Sequence, residues 1–207
     1  MTKNGVFSLD YEDVEDQGFL NNAYRSVRYL DPSSPVGYSY QAEVYPSTHT
    51  SNATAIRSMY YLPYRASAMA EFRYFSDTWG IEAWNVDVGY TQPLSKGITV
   101  DVHYRYYEQT AADFYSDLFP RQDYQNFLAR DKEPATFNSN TVGVGVSYDF
   151  GTSLLPFFKR GQVSLATDFL FLQYDDFRDT RKTLPPGTEP EYQLESTVIR
   201  AFLSLWY

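Results

Sequence analysis

The closing stretch of the chain, Tyr192–Tyr207, constrains the fold more than any other part of the sequence. From residue 197 onward its odd positions are mostly apolar, whereas Ser196, Arg200 and Ser204 make the even positions more polar. Such period-two alternation predicts a β-strand whose two faces meet different surroundings. The stretch exceeds the usual strand length of about five or six residues. A core strand of a soluble protein that happens to come last is the alternative interpretation.

Composition narrows the classes of protein that remain. The chain of 207 residues is long enough for one all-β domain, and 18% of its residues are aromatic. Tyr and Trp collect at interfaces where one end of a ring is apolar and the other is wet, as at membrane surfaces. The mean hydropathy of −0.46 and the lack of any long apolar run exclude a transmembrane helix. They do not exclude a transmembrane β-barrel, whose strands alternate.

Charge and cysteine content exclude several partners and chemistries. The net charge is −9 and there is no basic cluster, so no nucleic acid is expected as a partner. The chain has no cysteine. Disulfides, thiol catalysis and thiolate metal sites are therefore absent.

Alternation predicts eight strands along the chain. They are Val6–Glu12, Asn52–Tyr61, Tyr64–Phe75, Ile81–Gln92, Ile98–Gln109, Asn138–Phe150, Gln162–Asp175 and the closing strand. Three long polar loops cover residues 13–50, 110–137 and 177–191, and residues 20–30 and 38–45 of the first are expected to form an extra hairpin. The shorter connections are Leu62-Pro63, Pro93–Gly97 and Gly151–Gly161.

The lengths of these connections alternate between short and long, and only Ser76–Gly80 departs from the pattern. Outer-membrane β-barrels have short periplasmic turns and longer outer loops. We therefore predict a single domain over residues 1–207, an all-β antiparallel transmembrane β-barrel with long outer loops. It has about eight strands in this chain and belongs to a larger barrel if more strands precede Met1.

One face of nearly every predicted strand carries charged residues, whereas the other has none through its middle. The charged positions, which we predict to form a polar network facing the lumen, are Arg57, Glu71, Arg73, Asp87, Asp101, His103, Arg105, Asp149, Asp168 and Arg200. Mixed signs permit ion pairs, so a salt-bridged plug is one interpretation. A pore lining is the other, and in a soluble sandwich the same charges would face water.

Large aromatic residues lie near the two ends of the apolar faces, as in the girdles of membrane barrels. The predicted girdle consists of Tyr60, Tyr64, Tyr74, Trp84, Tyr90, Tyr106, Tyr148, Phe171 and Tyr207. The closing strand also resembles the last strand of Gram-negative outer-membrane β-barrels, whose final aromatic residue is read by their assembly machinery. That resemblance implies that Trp206 and Tyr207 form a barrel assembly signal, with outer-membrane lipid and the barrel assembly machinery as partners.

The sequence offers little support for catalysis. No nucleophile or metal-binding signature is present, so we predict no catalytic residues, no metal and no cofactor. His103 would need Ser67 or Ser147 nearby to act as a general base, and a paired structural histidine is the favoured interpretation. His49 is expected to be a surface histidine in a loop.

The second long loop is rich in aspartate. Asp113, Asp117, Asp123 and Asp131 offer oxygen atoms of the type that Ca²⁺ prefers. Their spacing matches no EF-hand, so a solvated acidic loop is the favoured interpretation.

Four segments carry a resemblance to a known family. They are Gly18–Arg28, Tyr45–Ala53, Glu71–Ile81 and Tyr104–Tyr115. These segments resemble an uncharacterised Gram-negative bacterial family, described only as a domain of unknown function, whose members are similar to outer-membrane β-barrels. The resemblance implies that this chain is the carboxyl-terminal part of such a protein, and it supplies no catalytic residues. Neighbouring genes of such systems encode lipoproteins and redox proteins, which implies a redox-linked envelope assembly.

Together these observations predict an outer-membrane β-barrel, located in the bacterial outer membrane, that acts as a scaffold or conduit for envelope partner proteins. The partners implied by the resemblance are envelope lipoproteins or redox proteins. Two alternatives stay open: a porin-like channel for small solutes, and a soluble antiparallel β-barrel that binds a small ligand.

The start of the chain bears on how the sheet closes. Asn4-Gly5 is a strong hairpin signal, yet the arm before it is missing and no signal peptide is present, so we expect the natural protein to continue upstream. Val6–Glu12 is also too short to pair fully with the closing strand. Unpaired backbone groups in hydrocarbon are costly. We therefore expect an open sheet unless another segment or chain supplies strands.

Overall fold

The computed structural model describes residues 4–94, 97–151 and 157–207, and their regular structure is β-strand. The strands are β1 Gly5–Gln17, β2 Ser26–Leu30, β3 Tyr38–Ala42, β4 Thr48–Tyr61, β5 Ser67–Asp77, β6 Glu82–Pro93, β7 Ile98–Gln109, β8 Phe137–Gly151, β9 Arg160–Arg178 and β10 Glu191–Trp206. No helix in the described ranges has the length and apolar character needed to cross a membrane.

Eight of the strands form one antiparallel sheet in the order β1-β4-β5-β6-β7-β8-β9-β10, and β2 and β3 form a separate hairpin. Apart from the inserted hairpin, each strand pairs with the next one along the chain. The predicted antiparallel all-β class, the strands of the main sheet and the extra hairpin in the first long loop are confirmed.

The sheet is open. In the described part of the chain β1 pairs only with β4, and β10 pairs only with β9. The prediction of a β-barrel is therefore wrong for this chain taken alone, and the expectation of an open sheet is confirmed. The physical reason is that the free edges of β1 and β10 are not hydrogen-bonded to each other, so the ladder is not continuous around a ring.

Several strands are longer than predicted, which shortens the loops. The strand predicted to end at Glu12 continues to Gln17, because residues 13–17 pair with residues 48–52 of β4. Acidic side chains at Asp13, Glu15 and Asp16 obscure the alternation there, although backbone pairing does not require apolar side chains. Two other strands also extend into predicted loops. β9 continues to Arg178, within the predicted loop 177–191, and β8 starts at residue 137, the last residue of the predicted loop 110–137.

The shorter connections also differ from prediction in detail. The turn after β4 is wider than Leu62-Pro63, because Leu62 N–H donates to Ala66 C=O at 2.8 Å and Arg65 has a φ of 68°. β5 consequently starts at Ser67 instead of Tyr64. In the predicted turns 93–97 and 151–161, residues 95–96 and 152–156 lie outside the described residues, as do residues 1–3 at the predicted start.

The register of the strands separates the sheet into two faces. Residues opposite each other in an antiparallel ladder share a face, and neighbours along a strand point to opposite faces. One row on the polar face runs through Arg57, Glu71, Asp87 and Arg105. The adjacent row, on what we call the apolar face, runs through Ile56, Phe72, Val86 and Tyr106.

The most deeply buried clusters lie in the loops rather than in the sheet. One cluster consists of Val27, Phe119 and Leu128, against which Tyr29 packs. A second is built on Ala112, Phe114 and Ala129, with Tyr45, Trp79, Ile81 and Tyr115 packed against it. Residues 18–47, 110–136 and 179–190 therefore form a packed unit, which we call the loop cap. It lies at the end of the sheet where the long connections emerge.

Glycine provides space on the polar face of β8. A Cβ atom at Gly143 would overlap the ring of His103 and the carboxylate of Asp168. Gly143→Ala is therefore expected to destabilise the folded chain by roughly 1–3 kcal/mol, the usual cost of overpacking. Denaturant unfolding of the purified chain measures this change.

Gly89→Ala is the matched control on the same face, because the nearest atom to its Cβ would be the flexible end of Met69 at 3.4 Å. Equal losses of stability in both variants would contradict the prediction.

Candidate functional site

The polar face collects every charged residue that the sequence assigned to one network. The register places all of them on the same face: Arg57, Glu71, Arg73, Asp87, Asp101, His103, Arg105, Asp149, Asp168 and Arg200. Two cross-strand ion pairs join members of this set, Arg57 with Glu71 and Arg200 with Asp168. His103 Nε2 lies 3.4 Å from Asp168 Oδ1, so Asp168 lies beside both Arg200 and His103.

Two further pairs reach residues that the sequence analysis did not include. Arg73 Nη2 lies 3.0 Å from Glu12 Oε2, and Arg160 Nη2 lies 2.7 Å from Asp149 Oδ1. Both new partners have the strand parity of the polar face, and this parity was the signal available for finding them. These pairs are largely exposed, so each contributes little to stability.

Other members of the set remain apart. Arg105 stands opposite Asp87 in the ladder, but the described residues give Arg105 no hydrogen bond and no ion pair. Asp87 Oδ1 is buried and has no hydrogen-bond partner among them. The hydroxyl of Ser147 pairs with Ser164 at 2.8 Å, and no described serine hydroxyl hydrogen-bonds to His103. The polar face thus combines paired charges with unpaired ones.

The predicted aromatic girdle residues mostly share the apolar face. Tyr60, Tyr90 and Tyr148 lie toward the end with short turns. Tyr74, Trp84, Tyr106 and Phe171 lie toward the loop cap. Tyr64 lies in the turn after β4, and Tyr207 follows β10 and is exposed. Trp206 has the parity of the polar face, where Arg160 lies 5.1 Å from its ring centroid.

A buried ion cluster holds the loop cap together. Arg28, with 0% of its surface exposed, forms ion pairs with Asp117 and Glu189, and its Nε–H donates to the carbonyl of Asp117 at 3.0 Å. The three residues come from the three long loops. A buried guanidinium requires partners of this kind, because its desolvation is costly. The cluster therefore fixes the loops relative to one another.

Further arginines complete the hydrogen bonding around this cluster. Arg130 Nη2 lies 3.0 Å from Asp117 Oδ1, and Arg178 Nη1 donates to the carbonyl of Glu189 at 2.7 Å. Burial alone would raise the pKa of Glu189, but hydrogen bonds from Arg28 and the backbone bring that pKa below its ordinary value. The Glu189 carboxylate therefore stays ionised at neutral pH.

The interpretation of the second loop as a solvated acidic segment is wrong for Asp117, which is buried within the cation cluster. Asp113 and Asp123 are exposed as expected. In the described part of the chain no group of three or more His, Cys, Asp or Glu residues is arranged to hold a metal ion. The sequence could not distinguish Asp117 from its neighbours, because its partners come from distant segments.

Glu43 is a buried carboxylate with incomplete hydrogen bonding. It is 3% exposed; Oε1 accepts from Arg130 N–H at 2.9 Å, whereas Oε2 has no partner in the described residues. Burial raises the pKa of Glu43 above its ordinary value of 4.5. The folded state therefore binds a proton more readily than the unfolded state does.

Glu43→Gln is expected to stabilise the chain at pH 7.5 by on the order of 1 kcal/mol, because it removes a buried charge. A raised pKa costs stability above the folded-state pKa, and this cost disappears as the pH falls through that pKa toward the unfolded value. The advantage of the variant should therefore vanish near pH 4. Thermal unfolding at both pH values measures it, and an advantage that grows on acidification would refute the assignment.

His49 also differs from prediction, since its side chain is only 18% exposed instead of lying on the surface. Its Nε2 lies 2.9 Å from Asp77 Oδ2, and its ring centroid lies 4.2 Å from that of Trp79. The other Asp77 oxygen accepts the N–H groups of Trp79 and Ile81, both at 2.9 Å. These contacts order the loop between β5 and β6.

A cavity of about 430 Å³ lies between the polar face of β5–β7 and the loop cap. Its apolar wall includes Phe75, Trp79, Ile81 and Pro134. Two predicted network residues, Arg73 and Arg105, reach its other side together with Asn85, Tyr107 and Gln109. The sequence analysis missed this cavity, because its wall and floor come from segments that are distant along the chain.

These features define a class of protein: an antiparallel all-β protein whose open eight-stranded sheet has one polar and one apolar face and carries a packed loop cap. Residues 1–157 match the family described as "Protein of unknown function (DUF3570)", and the chain belongs to this family. This confirms the resemblance to a family of unknown function. No curated protein and no solved structure matches the chain.

Proposed function

We propose that the chain forms part of the wall of an outer-membrane β-barrel in a Gram-negative bacterium, and that its loop cap is the surface on which envelope partner proteins are held. In this role the protein is a scaffold or conduit. The envelope lipoproteins or redox proteins implied by the family resemblance are the partners we propose. The observation that carries the proposal is the exposed apolar face of the sheet.

Large apolar side chains cover that face across the whole sheet. Leu165, Ile199 and Leu203 are 55%, 68% and 65% exposed, respectively. An apolar surface of this extent is unusual on a soluble monomer and marks a surface that contacts lipid or another protein. Carboxylates occur on this face only in the part of each strand nearer the loop cap: Asp13, Glu15, Glu82, Glu108, Asp175 and Glu195. A band free of charge suits hydrocarbon.

The free edges of the sheet fit the same proposal. A membrane-spanning sheet cannot leave backbone N–H and C=O groups without partners in hydrocarbon. Further strands, from another segment or another chain, would therefore pair with β1 and β10 to complete the barrel. The polar face then lines or fills the interior.

Fractionation of cells that produce the protein tests the location. The expected result is recovery in the outer-membrane fraction as a species that needs detergent and migrates differently on gels before and after heating. The same sample after mild urea washing should retain the protein in the membrane. Recovery as a monodisperse protein without detergent would refute the proposal.

A porin-like channel for small solutes is a second candidate function. It is favoured by Asp87, Asp101 and Arg105, polar-face residues for which the described part of the chain provides no ion pair. Charged groups without protein partners require water. Conductance of the reconstituted protein in planar bilayers tests this function, and an Arg105→Glu variant should change the ion selectivity of any channel. Absence of conductance would leave the scaffold as the sole role.

A further inference from the structure

The cavity between the polar face and the loop cap has the features of a ligand site. We infer that it binds a small organic carboxylate with an apolar body. The volume of about 430 Å³ lies within the range of small-molecule sites. The inference goes beyond the proposed function and does not depend on it, because the cavity belongs to the chain whether or not the apolar face meets lipid.

The wall toward the cap provides the surface for an apolar body. Phe75 at the cap end of β5, Ile81 and Pro134 contribute apolar atoms to it, and Trp79 adds a large ring. The Trp79 ring is fixed by edge contacts with Tyr45 and Phe114, at centroid distances of 5.2 and 5.5 Å. A wall that is already ordered loses little entropy when a ligand binds.

The floor on the sheet provides hydrogen-bond donors without protein acceptors. Asn85 lies on β6 and is only 4% exposed, yet its side-chain amide forms no hydrogen bond with any described residue. Buried amides are normally hydrogen-bonded. Arg105, on the neighbouring strand β7, also has no acceptor in the described residues. Both residues line the cavity, so a ligand that accepts hydrogen bonds would satisfy them.

The charge balance of the cavity favours an anion. The two carboxylates in its lining already have partners. Asp77 accepts from His49 and two backbone N–H groups, and the pKa of Glu133 is lowered by its hydrogen bond to Arg25. Arg105 is exposed and forms no ion pair in the described residues, although Asp87 stands opposite it in the ladder. A planar carboxylate matches the fork of a guanidinium, which is why this head group fits best.

Two further polar residues of the lining, Tyr107 and Gln109, are hydrogen-bonded and hold the floor in place. Tyr107 O–H donates to Gln109 Oε1 at 2.7 Å. Gln109 Nε2 in turn donates to the carbonyls of Glu133 and Ala135, each at 2.8 Å. These bonds join β7 to the cap beside the cavity, so they fix the position of the floor relative to the cap.

Titration calorimetry of the full chain tests the inference, with heats of partition into protein-free detergent subtracted if detergent is needed. The probes are 2-naphthoate, the uncharged 2-naphthamide and octanoate. We expect saturable binding of 2-naphthoate and at least about tenfold weaker binding of the amide, because charge-assisted hydrogen bonds are the strong ones. Comparison of octanoate with 2-naphthoate shows whether the site prefers an aliphatic or an aromatic carboxylic acid. Saturable binding of either acid supports the site.

Variants locate the binding. Arg105→Gln and Asn85→Ala are each expected to weaken binding of 2-naphthoate, the former by about tenfold or more. Arg57→Gln is the matched control, since Arg57 lies in the same row of the polar face but outside the cavity, and it should bind like the wild type. Equal affinity for acid and amide, an Arg105→Gln variant with unchanged affinity, or no binding of either acid would overturn the inference. Near-ultraviolet circular dichroism of each variant verifies that the cap is folded.

Discussion

Arg28→Ala is expected to loosen the loop cap at a cost of about 3–5 kcal/mol, because removing one partner leaves buried charges uncompensated. Arg28 is fully buried, and both Asp117 and Glu189 would lose their principal cation. The change should appear as a lower midpoint of urea unfolding, followed by near-ultraviolet circular dichroism. Limited trypsin digestion should also cut the three loops faster.

Arg57→Ala provides the control for this prediction. Arg57 also forms a cross-strand ion pair, with Glu71, but its side chain is 52% exposed. Exposed pairs contribute roughly 0–1 kcal/mol, so the variant should unfold close to the wild type. A similar loss in the two variants would show that the cluster around Arg28 does not hold the cap.

Val144→Arg is expected to reduce the membrane-inserted, folded fraction by the equivalent of about 2–4 kcal/mol, the cost of a cation near the middle of a bilayer. Val144 is the central residue of β8 (Phe137–Gly151) and lies on the apolar face, where it is 44% exposed. Heat-modifiable migration on gels after refolding into lipid vesicles measures the folded fraction.

Ser139→Arg is the matched control, because it places the same charge on the polar face of the same strand. It should insert nearly as well as the wild type. A soluble protein that binds a small ligand would behave differently. Val144→Arg would then add a charge at a solvent-exposed position and would change the folded fraction little. Insertion of both variants to the same extent would rule out contact between the apolar face and lipid.

Period-two alternation allowed the main strands to be predicted from the sequence, because side-chain parity records which face of a sheet each residue occupies. The same parity placed Arg57 and Asp168 on one face. It could not predict that Asp168 pairs with Arg200 while Arg105 has no partner in the described residues, since pairing depends on register. Register in turn depends on turns whose lengths the sequence leaves ambiguous.

The loop cap was beyond prediction for a different reason. Its segments show no regular period, and its strongest contacts join residues far apart in the chain: Arg28 and Glu189 are separated by 161 positions. Polar residues in a long loop are normally solvated, so Asp117 and Glu43 gave no local sign of burial. The cavity floor had a weak sign, because Asn85 is an uncharged amide that follows Arg73 across the ladder and precedes Asp87 on the same face of β6.

The distance along the chain between Arg28 and its partners has a consequence for the order of folding. Contacts of high sequence separation form late, because the intervening chain must first lose its conformational freedom. The hairpin Ser26–Ala42 can form early from local contacts, but its arginine has no complete partner set until β9 and the segment after it are in place. The guanidinium stays hydrated until then. The loop cap is therefore expected to become fully packed only after nearly the whole sheet has formed.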